Sequence, residues 1–151
     1  MPEIIGYMVT WTTYGSWLPG DERGYVEDGV VLPANQKILE LSKEQQKSPV
    51  VILTEEEIKI VQKIILSEAE RIDNEVLALT VRSNHVHIVI QPHSQSLDKI
   101  IGRYKSMTTR ALWNIGRIGC IWTKRYDKRL CLSHEQLEAR INYVNKHNTS
   151  Y

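Results

Sequence analysis

The sequence predicts an α+β protein, an antiparallel sheet with helices packed on one face, of the ferredoxin-like or RNA-recognition-like kind. Runs of β-branched and aromatic residues alternate with helical apolar patterns in the order strand, helix, strand, strand, helix, strand, helix. Two of these strands are separated only by Ser83 and Asn84, which indicates a hairpin. The 151 residues, 42% of them hydrophobic, suit a single domain over residues 1–151 with a substantial core.

The N-terminal part of the chain predicts a strand, a long loop and a helix. The stretch "EIIGYMVTWTT", which begins at Glu3, is rich in β-branched and aromatic residues and predicts the first strand. Glycines and prolines then punctuate an irregular insertion at about residues 13–50. Thr54 and Glu57 form a predicted capping box, which opens a helix that runs to about Arg71.

The remaining elements follow at short intervals. The stretches "EVLALTVRS" and "HVHIVIQP" predict the hairpin strands, which we expect to lie centrally in the sheet. A helix is predicted over about residues 96–113, and a short strand in "YDKRLCLS". Ser133 and Gln136 predict a second capping box, which opens a last helix over residues 134 to about 147.

Composition excludes several classes of protein. No apolar run approaches the roughly 20 residues that span a bilayer, and the first ten residues lack the layout of a signal peptide. Cys120 and Cys131 are too few for a disulfide scaffold and lack zinc-site spacing. We therefore expect reduced thiols in a cytoplasmic protein that has no contact with membranes.

Charge is distributed unevenly along the chain, although the net charge is only +1. Nine basic residues and one acid lie between Lys99 and Arg129, whereas residues 55–75 hold seven acids and three bases. This asymmetry favours a basic surface for a polyanion. Ordinary solvated charges explain it equally well on this observation alone.

His85 and His87 are two residues apart on a predicted strand, so both side chains point to the same face. Their Cα atoms should lie roughly 6–7 Å apart, which allows two imidazoles to bind one metal ion. A metal site needs at least a third ligand. Two exposed histidines on a half-buried strand are the alternative, and the pair alone favours it.

The last predicted helix offers further polar groups. Its apolar stripe consists of Leu137, Ile141 and Val144, and a different side of the helix carries Gln136, Arg140, Tyr143 and His147. Tyr143 and His147 are four residues apart and present their side chains together. They could face the histidine pair, although exposed tyrosines and histidines are common on helices.

Three stretches, "NHVHIVI", "IWTKRYDKRL" and "RINYVNKHN", together resemble the IS200-like (Y1, HUH-type) tyrosine transposases, most closely the branch associated with repetitive extragenic palindromes (REP). The middle stretch carries that family's Trp-x-x-Arg-Tyr segment at residues 122–126. The resemblance implies the HUH endonuclease fold, His85, His87 and His147 as ligands of Mg²⁺ or Mn²⁺, and Tyr143 as the nucleophile. The chain departs from the family pattern at the third ligand, which is often Asn or Gln in the family and would be His147 here.

The resemblance implies a transposase that cleaves and rejoins single-stranded or hairpin DNA through a 5′-phosphotyrosine, with no small-molecule substrate. A homodimer is expected. The residues predicted to contact DNA phosphates are Lys99, Arg103, Arg110, Lys124, Arg125, Lys128 and Arg129. The residues predicted to orient the phosphate or support the ligands are Asn84, Gln136 and Arg140.

Other readings remain open. A domesticated module of the same fold would bind nucleic acid without cutting it, and a metal-activated water would leave Tyr143 without a role. Tyr104 lies on the apolar face of its helix, so we expect it in the core and not as a nucleophile. Four tryptophans could stack on unpaired bases, but about half should fill the core of a chain that lacks phenylalanine: Trp11, Trp17, Trp113 and Trp122.

Overall fold

The computed structural model describes residues 3–16, 25–27, 30–32 and 50–148. The six described strands are β1 (Gly6–Thr12), β2 (Tyr25–Glu27), β3 (Val30–Leu32), β4 (Val76–Val81), β5 (His85–Ile90) and β6 (Asp127–Cys131). The three described helices are α1 (Glu55–Arg71), α2 (Leu97–Asn114) and α3 (His134–Asn148). The predicted elements are thus present, with bounds shifted by a few residues.

The main sheet has the order β4-β5-β1-β6, and every neighbouring pair is antiparallel. β4 and β5 form the predicted hairpin, but the expectation that both lie centrally is wrong for β4, which is an edge strand. β1 takes the second central position because it pairs with β5 on one side and with β6 on the other. Its sequence fits that position, since all of its residues except Tyr7 are buried.

Side-chain caps fix the starts of the helices. The Thr54–Glu57 capping box is confirmed, with Thr54 N–H donating to Glu57 Oε1 at 2.9 Å and Glu57 N–H to Thr54 Oγ1 at 3.2 Å. At α3 only half of the predicted box forms. Ser133 Oγ accepts from Gln136 N–H at 3.2 Å, but Gln136 Oε1 accepts from the backbone N–H of Leu132.

Helices lie on both faces of the sheet. α1 and α2 pack on the face that carries Val86, Ile88 and Ile90 of β5 and form the larger core with it. α3 packs on the opposite face, where Val144 is buried among residues of β1, β4 and β5. The predicted fold class, an antiparallel sheet with helices, is confirmed, but only α1 and α2 share a face. On the second side the two central strands carry Met8 and Val89 beside polar residues, and the stripe of α3 covers this apolar part.

The large aromatic residues divide between core and surface. Trp11 and Trp122 are buried and meet edge to face, with ring centroids 6.1 Å apart. Tyr104 is also buried, as expected, and its hydroxyl donates to Asn74 Oδ1 at 2.7 Å. Trp113 is 49% exposed, and Trp17 lies outside the described residues. At least two of the four tryptophans are therefore structural.

Most of the predicted insertion at residues 13–50 lies outside the described residues. Its described part includes the antiparallel pair of β2 and β3. Within the described parts of the chain no helix has the length and apolar character required to cross a membrane. Cys120 is exposed and Cys131 is buried, and neither forms a disulfide.

Candidate active site

His85 and His87 lie on β5 with their side chains on the face that α3 covers, because the intervening Val86 belongs to the core under α1 and α2. The two imidazole ring centroids are 4.7 Å apart, with the ring planes at 73°. His87 is only 3% exposed, and His85 is half-buried. The predicted convergence of the two rings is therefore present in the fold.

Each imidazole is oriented through its Nδ1 atom. Asn84 Oδ1 lies 2.7 Å from His85 Nδ1, and Thr10 Oγ1 lies 2.8 Å from His87 Nδ1. An amide oxygen only accepts hydrogen bonds, so His85 Nδ1 carries the proton and its lone pair is on Nε2. The Nε2 atoms of both rings are buried. Metal-binding histidines are commonly held in this way, through the ring nitrogen that does not face the ion.

Tyr143 lies on α3 and its ring contacts the ring of His87, with centroids 5.7 Å apart and planes at 76°. The tyrosine is 43% exposed, whereas the neighbouring Val144 is fully buried. The helix thus buries Val144 against the sheet and places the preceding residue, Tyr143, at the edge of the histidine pair. A phenol that is accessible to solvent and adjacent to a buried imidazole suits a nucleophile.

The third predicted ligand, His147, belongs to α3, but its side chain lies outside what the structure describes. Among the described residues there is no cluster of three or more His, Cys, Asp or Glu side chains that could hold a metal ion. The ligand set of His85, His87 and His147 therefore stays a prediction.

The three residues predicted to support the site have different positions. Asn84 contacts His85 directly. Gln136 caps the start of α3 through its bond to Leu132. Arg140 lies close enough to Cys131 to offset part of the rise in the pKa of that thiol, which burial causes. Of the three, the structure brings only Asn84 into contact with the histidine pair.

The residues predicted to bind DNA divide between the two sides of the sheet. Lys99 and Arg110 are exposed on α2, which packs on the side away from the histidines. Arg103 faces α1 and lies 3.7 Å from the buried carboxylate of Glu68. On β6, Arg129 pairs with Met8 on the histidine face and lies 3.2 Å from Asp127.

The remaining predicted DNA contacts lie on β6 and on the segment before it. Lys128 pairs with Val9, so it points away from the histidines. The Trp-x-x-Arg-Tyr segment at 122–126 is anchored at both ends, by a bond from Trp122 Nε1 to Thr108 and by one from the Tyr126 hydroxyl to Asp98. Burial and the hydrogen bond to Asp98 raise the pKa of Tyr126 to about 12. Lys124 and Arg125 are exposed between the two anchors.

No sequence pattern indicated the role of Lys105. Its ammonium donates to the backbone carbonyls of Thr123 and Arg125 at 2.8 and 2.9 Å, and lies 5.9 Å from the ring centroid of Tyr126. Burial lowers the pKa of Lys105 to about 8. In the sequence this lysine is one more cation of a basic run. In the structure it holds the exposed 122–126 segment against α2.

A row of polar residues across the histidine face was also missed. The strand register aligns Thr80, His87, Thr10 and Asp127 on β4, β5, β1 and β6 in turn. The alternation in "VTWTT" would have placed Thr10 and Thr12 on one face, but only the register shows which face it is. The buried hydroxyls of this row lie beside the imidazoles.

An antiparallel sheet with two imidazoles converging on a central strand, and a late helix laid over them, defines the class as an α+β protein. Its likeness to a solved REP-associated tyrosine transposase identifies the fold as the HUH fold. The family model described as "Transposase IS200 like" matches residues 44–147. The chain belongs to the IS200-like transposase family, which confirms the resemblance seen in the sequence.

One solved structure supports the fold, and a second is reported beside it for comparison. A REP-associated tyrosine transposase bound to a REP hairpin is 13% identical, with a TM-score of 0.54, over 93% of this chain and 64% of that one. The present chain thus spans less than two thirds of that structure. A Deinococcus radiodurans R1 protein, provisionally named a transposase, is 14% identical, with a TM-score of 0.47, over 96% of this chain and 92% of its own. No curated protein matches the chain.

Proposed function

We propose that this transposase cleaves and rejoins single-stranded DNA through a covalent 5′-phosphotyrosine on Tyr143. The observation that carries the proposal is the contact of the Tyr143 ring with His87, at 5.7 Å between centroids, on the face where His85 also points. Tyr104, the other tyrosine weighed as a nucleophile, is buried on the opposite side of the sheet. Its pKa is raised to about 12, chiefly by burial, which makes it a poor nucleophile.

The histidine pair fits a divalent metal ion. Both Nε2 atoms are buried, and the bond to Asn84 gives His85 the tautomer that a ligand needs. His85 and His87 would hold the ion, with His147 as the third ligand, and it would be Mg²⁺ or Mn²⁺. When bound, such an ion polarises a phosphate and neutralises developing charge. Imidazoles bind Co²⁺, Ni²⁺ or Zn²⁺ more tightly, so affinity alone would not identify the physiological metal.

Tyr143 carries the covalent chemistry in this proposal. Its hydroxyl oxygen attacks the phosphorus and loses its proton, and the bond from phosphorus to the 3′ oxygen breaks. The departing oxygen takes up a proton and becomes a 3′-hydroxyl, while the 5′-phosphate stays on the tyrosine. Rejoining reverses these steps, since a 3′-hydroxyl attacks the phosphotyrosine and restores the phenol. The energy of the phosphodiester bond is therefore retained without a nucleotide cofactor.

The surface near the site favours a DNA strand as substrate. Lys124, Arg125 and Arg129 are exposed cations on or next to β6. The REP-associated tyrosine transposase of similar fold has a structure bound to a REP hairpin, which supports hairpin DNA as the substrate here. The tyrosine and both histidines meet within one chain. These three residues do not require a second subunit. The expected homodimer stays a prediction.

The test is a cleavage assay with labelled single-stranded hairpin oligonucleotides from the ends of the element that carries this gene, in Mg²⁺ or Mn²⁺. Wild-type protein should form a covalent protein–DNA band on a denaturing gel, and Tyr143→Phe and His87→Ala should abolish it. Tyr104→Phe is the matched control, because it removes a tyrosine hydroxyl on the other side of the sheet and should keep the band.

Three outcomes would contradict the proposal. A band that survives Tyr143→Phe would place the nucleophile elsewhere. Cleavage without any covalent band would favour a metal-activated water. Binding of the hairpin without cleavage would favour the domesticated nucleic-acid-binding module.

A further inference from the structure

We propose that Thr80 is a positioning residue, which holds α3 so that Tyr143 stays over the histidine pair. The inference rests on the proposed function and adds a determinant of its rate. Thr80 is a fully buried residue of β4, and its hydroxyl donates to the backbone carbonyl of Val144 at 2.7 Å. Val144 directly follows the proposed nucleophile in the chain. This bond therefore fixes the helix at the residue next to Tyr143.

The apolar contact between α3 and the sheet is narrow. Leu137 and Ile141 are only partly buried, and Val144 is the one large apolar residue of the described α3 side chains that is fully buried. Few buried side chains leave a helix able to slide or rotate on a sheet. A directional hydrogen bond supplies the constraint that this packing lacks, because it defines both the height and the rotation of the helix at one point.

The position of Thr80 in the sheet links this bond to the histidines. Thr80 pairs with His87 in the register of β4 and β5, so both side chains lie on the same face in adjacent strands. His87 contacts the ring of Tyr143, and Thr80 donates to the carbonyl of Val144. The paired residues Thr80 and His87 thus contact α3 at two consecutive residues, Val144 and Tyr143.

The start of α3 has its own close contact. A Cβ atom at Gly6 would lie only 2.6 Å from Leu137 Cδ1, so the glycine leaves the space against β1 that the Leu137 side chain occupies. The two contacts, Gly6 with Leu137 and Thr80 with Val144, are seven residues apart on α3. Together they set the direction of the helix across the sheet, and Thr80 is the one adjacent to Tyr143.

The variant Thr80→Val keeps the shape of the side chain and removes the donor. We expect covalent adduct formation in single turnover to slow by about tenfold, because small displacements of a nucleophile have large effects on rate. The affinity for the hairpin oligonucleotide should stay within about twofold, since Thr80 is buried. Thr80→Ser, which restores the hydroxyl, should recover most of the rate.

The matched control is Tyr104→Phe. Tyr104 is also fully buried, and its hydroxyl donates to Asn74 Oδ1 at 2.7 Å on the other side of the sheet from α3. This variant should lose comparable stability to Thr80→Val and keep the adduct rate. A second measurement, amide hydrogen exchange, should show faster exchange in α3 than in wild type for Thr80→Val only, with α1 unchanged.

An active wild-type protein whose Thr80→Val variant keeps both the adduct rate and the exchange of α3 would overturn the inference. A rate loss that Thr80→Ser does not recover, or that Tyr104→Phe reproduces, would do the same, since general destabilisation would then explain it. If the wild-type protein forms no adduct, the proposed function fails first and this role falls with it. The two failures are distinguishable, because the wild-type protein is still active when only the role of Thr80 fails.

Discussion

Replacing Asn84 by alanine tests whether the histidine pair is arranged for a metal ion. The substitution removes the oxygen that holds His85 Nδ1 at 2.7 Å and leaves the ring in place against His87. Loss of such an outer partner typically weakens metal binding by about 10- to 100-fold. His87 keeps its own bond to Thr10, so only one of the two imidazoles loses the bond that orients its Nδ1 atom. We therefore expect an effect near the lower end, about 10- to 30-fold, or roughly 1.4–2 kcal/mol.

The measurement is isothermal titration of Mn²⁺ into the apo-protein. Asn84→Asp keeps an acceptor for His85 Nδ1 and should bind Mn²⁺ at least as tightly as wild type. His93→Ala is the matched control, because His93 bonds to the carbonyl of Ile72 away from the site, and it should leave the affinity unchanged. An affinity of Asn84→Ala within twofold of wild type would show that this bond does not prepare a ligand.

Three further substitutions test the ion pair of α1 and the exposed segment before β6. Arg117→Ala removes two bonds, of 2.6 and 2.7 Å, to the buried carboxylate of Glu57 and should cost about 2–3 kcal/mol in urea unfolding at pH 7. The pair lowers the pKa of Glu57 below 4.5, so the difference from wild type should shrink as the pH falls below that value, and a constant difference would contradict the assignment. Lys105→Gln should weaken single-stranded DNA binding about fivefold by loosening the segment, yet leave the salt dependence unchanged. Arg125→Ala should lower the log–log salt slope in fluorescence anisotropy by about 0.7, and an equal change for Lys105→Gln would mean that Lys105 contacts phosphate itself.

Features fixed by local geometry were predictable from the sequence. The bond pattern of Thr54 and Glu57 depends only on residues three apart, and the shared face of His85 and His87 only on strand alternation. Helical periodicity placed Val144 against the sheet and left Tyr143 outside the apolar stripe, as the structure has them. These predictions needed no knowledge of which elements are neighbours.

Features that depend on distant pairing were not predictable. The edge position of β4 follows from the pairing of β1 with both β5 and β6, and strand patterns do not encode partner choice. Arg103 stays a predicted DNA contact, but its approach to Glu68 depends on the packing of α2 on α1, which the basic stripe does not indicate. The bond between Thr80 and Val144 spans 64 residues, and a buried threonine on a strand carries no mark of such a partner.

The distribution of charge restricts the route by which a DNA strand could reach Tyr143. Lys99 and Arg110 lie on the helical layer on the other side of the sheet, beside the acid-rich α1. The exposed cations of the 122–126 segment are closer to the site, because Thr123 bonds to Thr12 at 3.2 Å and Thr12 pairs with His85 across the sheet. A strand that enters over the β6 edge would meet this segment before the histidines. Under the proposed function, the cations of α2 would therefore contact only DNA that extends around the edge of the molecule, such as the stem of a hairpin.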